Sequence, residues 1–241
     1  YSVLAVLNNA KVNIMTLEDP VEYQIAGVNQ VQINPTAGLT FANGLRSFLR
    51  QDPNIILVGE VRDSETTDLA VQAALTGHLV FSTLHTNNAA GAIPRLLDLG
   101  AEPFLVASAL NAIVGQRIAR KICPTCKQDY EPEQTVADDI RSVLGEFLPK
   151  DKKVLLYRGK AATNGGQCAQ CGGSGYLGRI GIFEVFPVTD GISKLILSRA
   201  PMKDIEHLAI GEGMIAMKQD GYMKAVEGVT TIEEVLRVAQ D

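Results

Sequence analysis

Ile55-Ile56-Leu57-Val58-Gly59-Glu60 sets four apolar residues in a row, without alternation, directly before a glycine and a carboxylate. Such a run suits a strand buried on both faces, the interior position of a parallel sheet. Upstream, Val12 to Leu17 (VNIMTL) is a second aliphatic run, ended by Glu18-Asp19-Pro20, where the proline pushes Asp19 away from helical conformations. Downstream, Leu79 to Leu84 (LVFSTL) is a third, ending in His85-Thr86-Asn87. Helical patterns lie between them. Thr40 to Gln51 has apolar residues at Phe41, Leu45, Phe48 and Leu49, with Thr40 as N-cap and Pro53 beyond the end. Asp63 to Leu75 carries its acidic residues early and has Gly77 just past its end. Further helices are expected over about Ala89 to Leu99 and Pro103 to Lys121, the oily stretch Phe104 to Val114 being read as buried helix. Alternating strands and helices predict an α/β fold with a doubly wound parallel sheet.

Beyond Lys121 the character changes to cysteines, glycines and charges with few long periodic segments, up to about residue 178. Ile180 to Phe186 then reads as a strand. The remainder reads as helical and closes on a capping box, Thr231-x-x-Glu234. Three domains are expected: 1–121, 122–178 and 179–241.

In an open parallel sheet, ligands sit outside the carboxyl ends of the strands. Three strands here each deliver a reactive side chain to that edge: Glu18, Glu60 and His85. Two carboxylates and an imidazole suit metal–phosphate chemistry. One acid can hold Mg²⁺ through its waters, the other can orient or deprotonate an attacking water, and the imidazole can donate to a phosphate oxygen. The plainer alternative is that acids commonly cap strand ends. His78 and His85 do not make a two-histidine metal site, because at about 3.3 Å per residue an extended chain sets their rings roughly 20 Å apart. His78 reads equally as a subunit contact or a helix-end histidine, and His207 as surface or packing.

Net charge is −5, with a pI near 5.3 and only 5% aromatic residues. That balance counts against a surface built for nucleic acid or anionic lipid. No apolar run approaches the roughly 20 residues of a membrane-spanning helix. Tyr1 opens the chain without a charged leader or cleavage pattern, in the middle of an apolar pattern, so a fragment is expected.

The four cysteines fall as Cys123-x-x-Cys126 and Cys168-x-x-Cys171. Paired CxxC spacing in a chain with ample aliphatic residues points to a structural Zn²⁺ rather than to disulfide staples, with redox cysteines as the other reading. Four thiolates leave no open position for water, so this zinc is structural and not catalytic.

The strings TLEDPVEY (Thr16 to Tyr23), LRQDPNIILVGEVRD (Leu49 to Asp63) and TGHLVFSTLHTN (Thr76 to Asn87) resemble, in order and spacing, three boxes of the secretion ATPase superfamily that powers type IV pilus assembly and type II secretion. The match runs almost continuously from Tyr1 to about Lys127. It implies an incomplete RecA-like P-loop NTPase core working as a homo-hexamer, with an inserted tetracysteine module and a C-terminal helical part. Glu18 then looks like the water-activating carboxylate and Glu60 like the Walker B acid near Mg²⁺. His85, with His78, matches the nucleotide-sensing His box, and Arg46 and Arg62 match arginines that reach phosphates or a neighbouring subunit.

The family's G-x-x-x-x-G-K-[ST] loop, whose N–H groups, Lys and hydroxyl hold phosphate and Mg²⁺, would precede Tyr1; no GK[ST] occurs in these residues. The parent is therefore expected to hydrolyse ATP and this chain alone to be inactive. The resemblance further implies a cytoplasmic protein at the inner face of the bacterial membrane, bound to an inner-membrane platform protein and reaching the membrane only through partners. Arg117, Arg120, Lys121 and Lys127 form a basic edge that would suit an acidic partner or be merely solvated. The tetracysteine module fits assembly and export relatives rather than retraction motors, and NQVQINPTAGLTF (Asn29 to Phe41) leans toward pilus assembly. The alternative from a different class is a zinc-stabilised binding module on a catalytically dead P-loop fold.

Overall fold

The computed structural model describes residues 1–149, 151, 153–160 and 168–239, so part of the expected 122–178 module lies outside the described residues. The chain divides into two compact units. The first comprises Tyr1–Thr86, Ala90–Asn111 and Val188–Leu208; the second comprises Asn87–Ala89, Ala112–Pro187 and Ala209–Asp241.

In the first unit, β1 (Ile14–Glu18), β2 (Asn29–Gln32), β3 (Ile55–Val58) and β4 (Leu79–Ser82) form one sheet in the order β2-β1-β3-β4, with every pairing parallel. The expected parallel α/β sheet is what forms. The unbroken apolar run of β3 has a direct cause. Ile55, with Leu57, packs with Leu4 of α1 (Ser2–Leu7) on one face. Ile56 and Val58 pack on the other with Leu45 and Phe48 of α2 (Phe41–Phe48) and Ala70 and Ala73 of α3 (Ser64–Leu75). A strand covered on both faces has no position for a polar residue.

Capping follows the chemistry read from the sequence. Thr40 Oγ1 accepts the Asn43 N–H at 3.2 Å to start α2, and an Asp63 carboxylate oxygen accepts the Thr66 N–H at 2.8 Å to start α3. Helices α4 (Ala92–Asp98), α5 (Pro103–Ala109) and, after the second unit's ribbon, α7 (Asp190–Leu197) complete the first unit, with α5 packed on α7.

The helix expected over Pro103 to Lys121 ends at Ala109. From there β5 (Ala112–Ile122) pairs antiparallel along most of its length with β8 (Tyr176–Pro187). Phe104 is 57% and Val114 58% exposed, so the oily stretch is not a buried helix. The apolar residues of AIVGQRIARKI fit a helical spacing almost as well as a two-residue alternation. A long complementary strand, absent from any local window, decides for the sheet.

The second unit also holds β6 (Lys127–Tyr130) paired antiparallel with β7 (Leu156–Gly159), α6 (Gln134–Leu144), α9 (Met217–Val226) and α10 (Ile232–Val238). Helix α8 (Met202–Gly211) runs across the division. Ile140, Leu144, Leu156, Ile182, Tyr222 and Val235 form the heart of the second unit's core.

The expected box at α10 forms only by half. Thr231 Oγ1 accepts the Glu234 N–H at 3.3 Å, but the buried Glu234 carboxylate turns to other donors. It accepts from the Arg237 guanidinium at 2.7 and 2.9 Å, the Arg120 guanidinium at 2.6 Å and the Arg120 N–H at 2.9 Å. The Arg237 hydrogen bonds, opposed by burial and reinforced by Arg120, hold its carboxyl well below the usual carboxylate range. A depressed carboxyl contributes stability above its unfolded value, near 4.3, and loses it as pH falls toward the folded value. Both guanidiniums are about half exposed, so their charge is not stranded when the acid is removed. We therefore expect Glu234→Ala to cost about 1.5–3 kcal/mol at pH 7, the worth of hydrogen bonds to a charged group. Urea titrations at pH 7 and pH 3 check this, because the gap between variant and parent should narrow at the lower pH.

Candidate functional site

Strands β1, β3 and β4 all end at one edge of the first unit's sheet, with Leu17 opposite Val58 and Val58 opposite Ser82. Glu18 closes β1, Glu60 stands two residues past β3, and His85 stands three past β4. Gly59 brings the first two strand ends close. Its N–H donates to the Leu17 carbonyl at 2.7 Å, and a Cβ there would lie 2.9 Å from the same oxygen and 3.3 Å from the Glu18 Cα. Both neighbours are backbone and cannot step aside, so Gly59, which separates the apolar run from Glu60, is a steric requirement. Gly59→Ala is expected to cost about 1–3 kcal/mol, read as a lowered urea midpoint at unchanged slope.

The two carboxylates sit in different surroundings. Glu60, 9% exposed, meets a guanidinium and an imidazole: Arg62 Nε donates to it at 2.5 Å, and His85 Nε2 lies 3.4 Å from the same oxygen. Glu18, 4% exposed, is held by neutral donors. Thr16 Oγ1 and the Tyr1 hydroxyl both donate to it, and Gln30 Nε2 donates at 3.1 Å. Sequence reasoning found both carboxylates but not Tyr1, Thr16 or Gln30. Thr16 shares Glu18's face of β1 at i, i+2, and that spacing was the available signal. Gln30 lies in a polar edge strand that no hydrophobic pattern marks.

The remaining candidates are spread along the unit. Arg46 pairs with Glu65 across α2 and α3 and contacts Asn43 Oδ1 at 3.3 Å. His78 Nδ1 lies 2.9 Å from the Ala73 carbonyl and 3.2 Å from Thr76 Oγ1, closing the end of α3. His85 and Arg62 thus meet Glu60, whereas the hydrogen bonds of Arg46 and His78 lie on helices α2 and α3. Three of the four residues of the second unit's basic edge have partners: Arg120 on Glu234 and over the Tyr176 ring at 4.1 Å, Lys127 over the Tyr157 ring at 4.3 Å, and Arg117 on the Asn87 carbonyl at 2.9 Å.

Four thiols gather in the second unit. The Sγ atoms of Cys123, Cys126, Cys168 and Cys171 all lie within 4.8 Å of one another, with Cys123 3.9 Å from Cys168 and Cys126 3.8 Å from Cys171. A tetrahedral metal with bonds of about 2.3 Å has sulfur–sulfur edges of about 3.8 Å, whereas a disulfide needs about 2.05 Å. The donor set therefore fits Zn²⁺. Gly172, Gly173 and Gly175 all have positive φ, 57°, 86° and 77°, which lets the chain curl behind Cys171 and point the Gly175 N–H at its sulfur at 3.3 Å. Burial raises the Cys171 thiol, but hydrogen bonds from Gly175 and from the neighbouring cysteines outweigh it and bring it down to about 6. A thiolate-prone sulfur is what a zinc ligand requires.

The sequence profile described as "Type II/IV secretion system protein" matches residues 1–237. Over 243 residues the chain is 49% identical to the type II secretion system protein E of Xanthomonas campestris pv. campestris, covering 100% of this chain and 41% of that protein. Over 238 residues it is 46% identical to the type IV pilus assembly ATPase PilB of Myxococcus xanthus, covering 98% of this chain and 40% of that one. The chain thus spans about two fifths of the length of these relatives. Among solved structures, the pilus retraction motor PilT with bound ADP superposes with a TM-score of 0.66 at 25% identity, over 100% of this chain and 55% of that chain. The Legionella pneumophila ATPase DotB superposes at 0.63 and 19% identity, over 98% of this chain and 55% of that chain, a likeness of fold alone. The expected ATPase fold, α/β with a parallel sheet and clustered cysteines, is thereby met.

Proposed function

The chain belongs to the type II/IV secretion system protein family, and on that premise we propose that it is the catalytic-edge and cysteine-bearing portion of an ATPase that drives type II secretion or type IV pilus assembly. The observation that carries the reading is the pair of buried carboxylates at one edge of the parallel sheet, one among neutral donors and one beside a guanidinium and an imidazole.

Glu18 orients the attacking water and takes up its developing positive charge, its two oxygens being fixed by neutral donors rather than by a counter-charge. Glu60 holds the waters of Mg²⁺, which when bound neutralises charge on the phosphates. Arg62 and His85, both exposed beside Glu60, would be within reach of phosphate oxygens of a bound nucleotide. Arg46 and His78 supply contacts to nucleotide or to a neighbouring subunit. The phosphate-cradling loop comes from a part of the protein outside these residues, as the absence of GK[ST] from the sequence and the partial coverage of the relatives suggest. On this reading the 241 residues by themselves hydrolyse no ATP.

The working state is a homo-hexamer at the inner face of the membrane, engaged with an inner-membrane platform protein. No helix among the described residues is long and apolar enough to cross a membrane. Zn²⁺ on the four cysteines holds the module expected at 122–178 together. Both secretion and pilus-assembly proteins stand among the relatives, and the reading covers either machine.

Phosphate release tests the proposal. The whole protein should liberate phosphate from ATP in a Mg²⁺-dependent manner, and the 241-residue chain should not exceed the blank. A whole protein without Mg²⁺-dependent release sinks the motor reading and favours the zinc-stabilised binding module.

A further inference from the structure

We propose that Tyr1 and Gln30 are positioning residues for Glu18, fixing which way its carboxylate faces; this rests on the reading of Glu18 as the water-orienting acid. The Tyr1 hydroxyl donates to one carboxylate oxygen, and the Gln30 amide donates to the other at 3.1 Å. Thr16 shares that second oxygen. A carboxylate gripped on both oxygens cannot rotate about its terminal torsion, which is otherwise broad for glutamate.

Each positioning group is itself held. Gln30 Oε1 accepts the Ile25 N–H at 2.6 Å, and Nε2 also donates to the Tyr23 carbonyl at 3.1 Å. A backbone donor on one end and a backbone acceptor on the other leave the amide one orientation, with nitrogen toward Glu18. The strand register sets this up, since Gln30 on β2 stands opposite Thr16 on β1. The Tyr1 hydroxyl accepts the Glu22 N–H at 3.1 Å, which commits its proton to Glu18. The Tyr1 ring meets the Tyr23 ring edge-to-face, with centroids 4.5 Å apart. Burial, and then the neighbouring carboxylate, raise the Tyr1 phenol above its ordinary value, so it remains a donor at neutral pH. Tyr23 therefore serves both arms, the ring supporting Tyr1 and the carbonyl supporting Gln30.

The consequence is preorganisation by neutral groups. Charged donors would hold the acid equally well but lower its basicity much more. A phenol and an amide orient it without setting a counter-charge against it.

Two substitutions remove the donors with little change of shape: Tyr1→Phe keeps the ring contact, and Gln30→Glu is isosteric. In the whole protein each should lower kcat about tenfold at unchanged KM for ATP, and neither should lower it further when Glu18 is already Gln. In the ¹³C-glutamate-labelled 241-residue chain, each should move the Glu18 carboxyl resonance, assigned by its loss in Glu18→Gln, while the Glu60 resonance stays in place. If Glu18→Gln abolishes turnover but both variants keep the parental kcat and carboxyl resonance, the positioning role is overturned and the reading of Glu18 stands. If Glu18→Gln itself keeps the parental rate, the water-orienting reading fails and takes the positioning role with it. A rise in KM with kcat intact also overturns the proposal, since that would place Tyr1 and Gln30 in nucleotide binding.

Discussion

Glu18→Gln in the whole protein is expected to lower ATP turnover by about 10²–10⁴-fold, with nucleotide affinity nearly intact, measured as kcat and KM for Mg²⁺-ATP. Gln is isosteric, so the strand end and its packing should survive. What changes is the charge: an amide cannot take up the positive charge that develops on an attacking water. It also presents its own N–H groups to Thr16, Tyr1 and Gln30, which are themselves donors to this position. One amide rotamer keeps a single acceptor there and sets the other end against a donor.

Glu60→Gln should behave differently. Its partners, Arg62 and His85, are exposed side chains that solvent can serve, so the fold should tolerate the change. Loss of a ligand toward Mg²⁺ should raise KM for the metal–nucleotide complex as well as lower kcat. An equal, pure kcat effect for both variants would contradict the division of labour between the two acids.

The middle of the sheet was legible because β1 and β3 are covered on both faces. Ile55 to Val58, flanked by Gly59-Glu60, admits few other readings, and the three strand ends then locate an edge by topology alone. The elements that escaped are those whose identity is set by a partner far along the chain. β5 depends on β8, which starts more than fifty residues later, and its alternation is blurred by Gly115 and Ala119. β2, with its sequence NQVQ, is a polar edge strand with two exposed positions, and no hydrophobic period distinguishes it from loop. Gln30 was missed for that reason. Glu234 shows the same effect at a single residue: its spacing from Thr231 announced a capping box, but Arg120 and Arg237 outbid the local N–H for its carboxylate. Local chemistry was readable wherever the competing partner was absent.

Removing the metal from the cysteine cluster should have the second large effect. The chain prepared under reducing conditions is expected to carry one Zn²⁺, counted by elemental analysis, and to lose it in Cys171→Ser. Structural zinc sites in small modules contribute apparent binding energies of about 10–16 kcal/mol at neutral pH, which exceeds the stability of most domains. The cysteines sit at the ends of the second unit's strands, Cys123 just after β5 and Cys126 just before β6. Cys123 N–H donates to the Gly175 carbonyl and Lys160 N–H to the Cys126 carbonyl, so backbone hydrogen bonds meet the first knuckle at both of its cysteines. With the metal gone, the turns that carry the four thiols lose the bonds that tie them together, while the β5–β8 and β6–β7 ladders stay paired. Thermal unfolding of the chelated protein should therefore show an early transition that the zinc-loaded protein lacks. The parallel sheet of the first unit, whose core of Leu17, Leu45, Ile56 and Val58 is complete without the cysteines, should melt near its original temperature. Mass spectrometry separates the rival outcome. A chain without metal but four hydrogens lighter would mean paired disulfides, Cys123 with Cys168 and Cys126 with Cys171 being the nearest pairs measured, and the zinc assignment would be wrong.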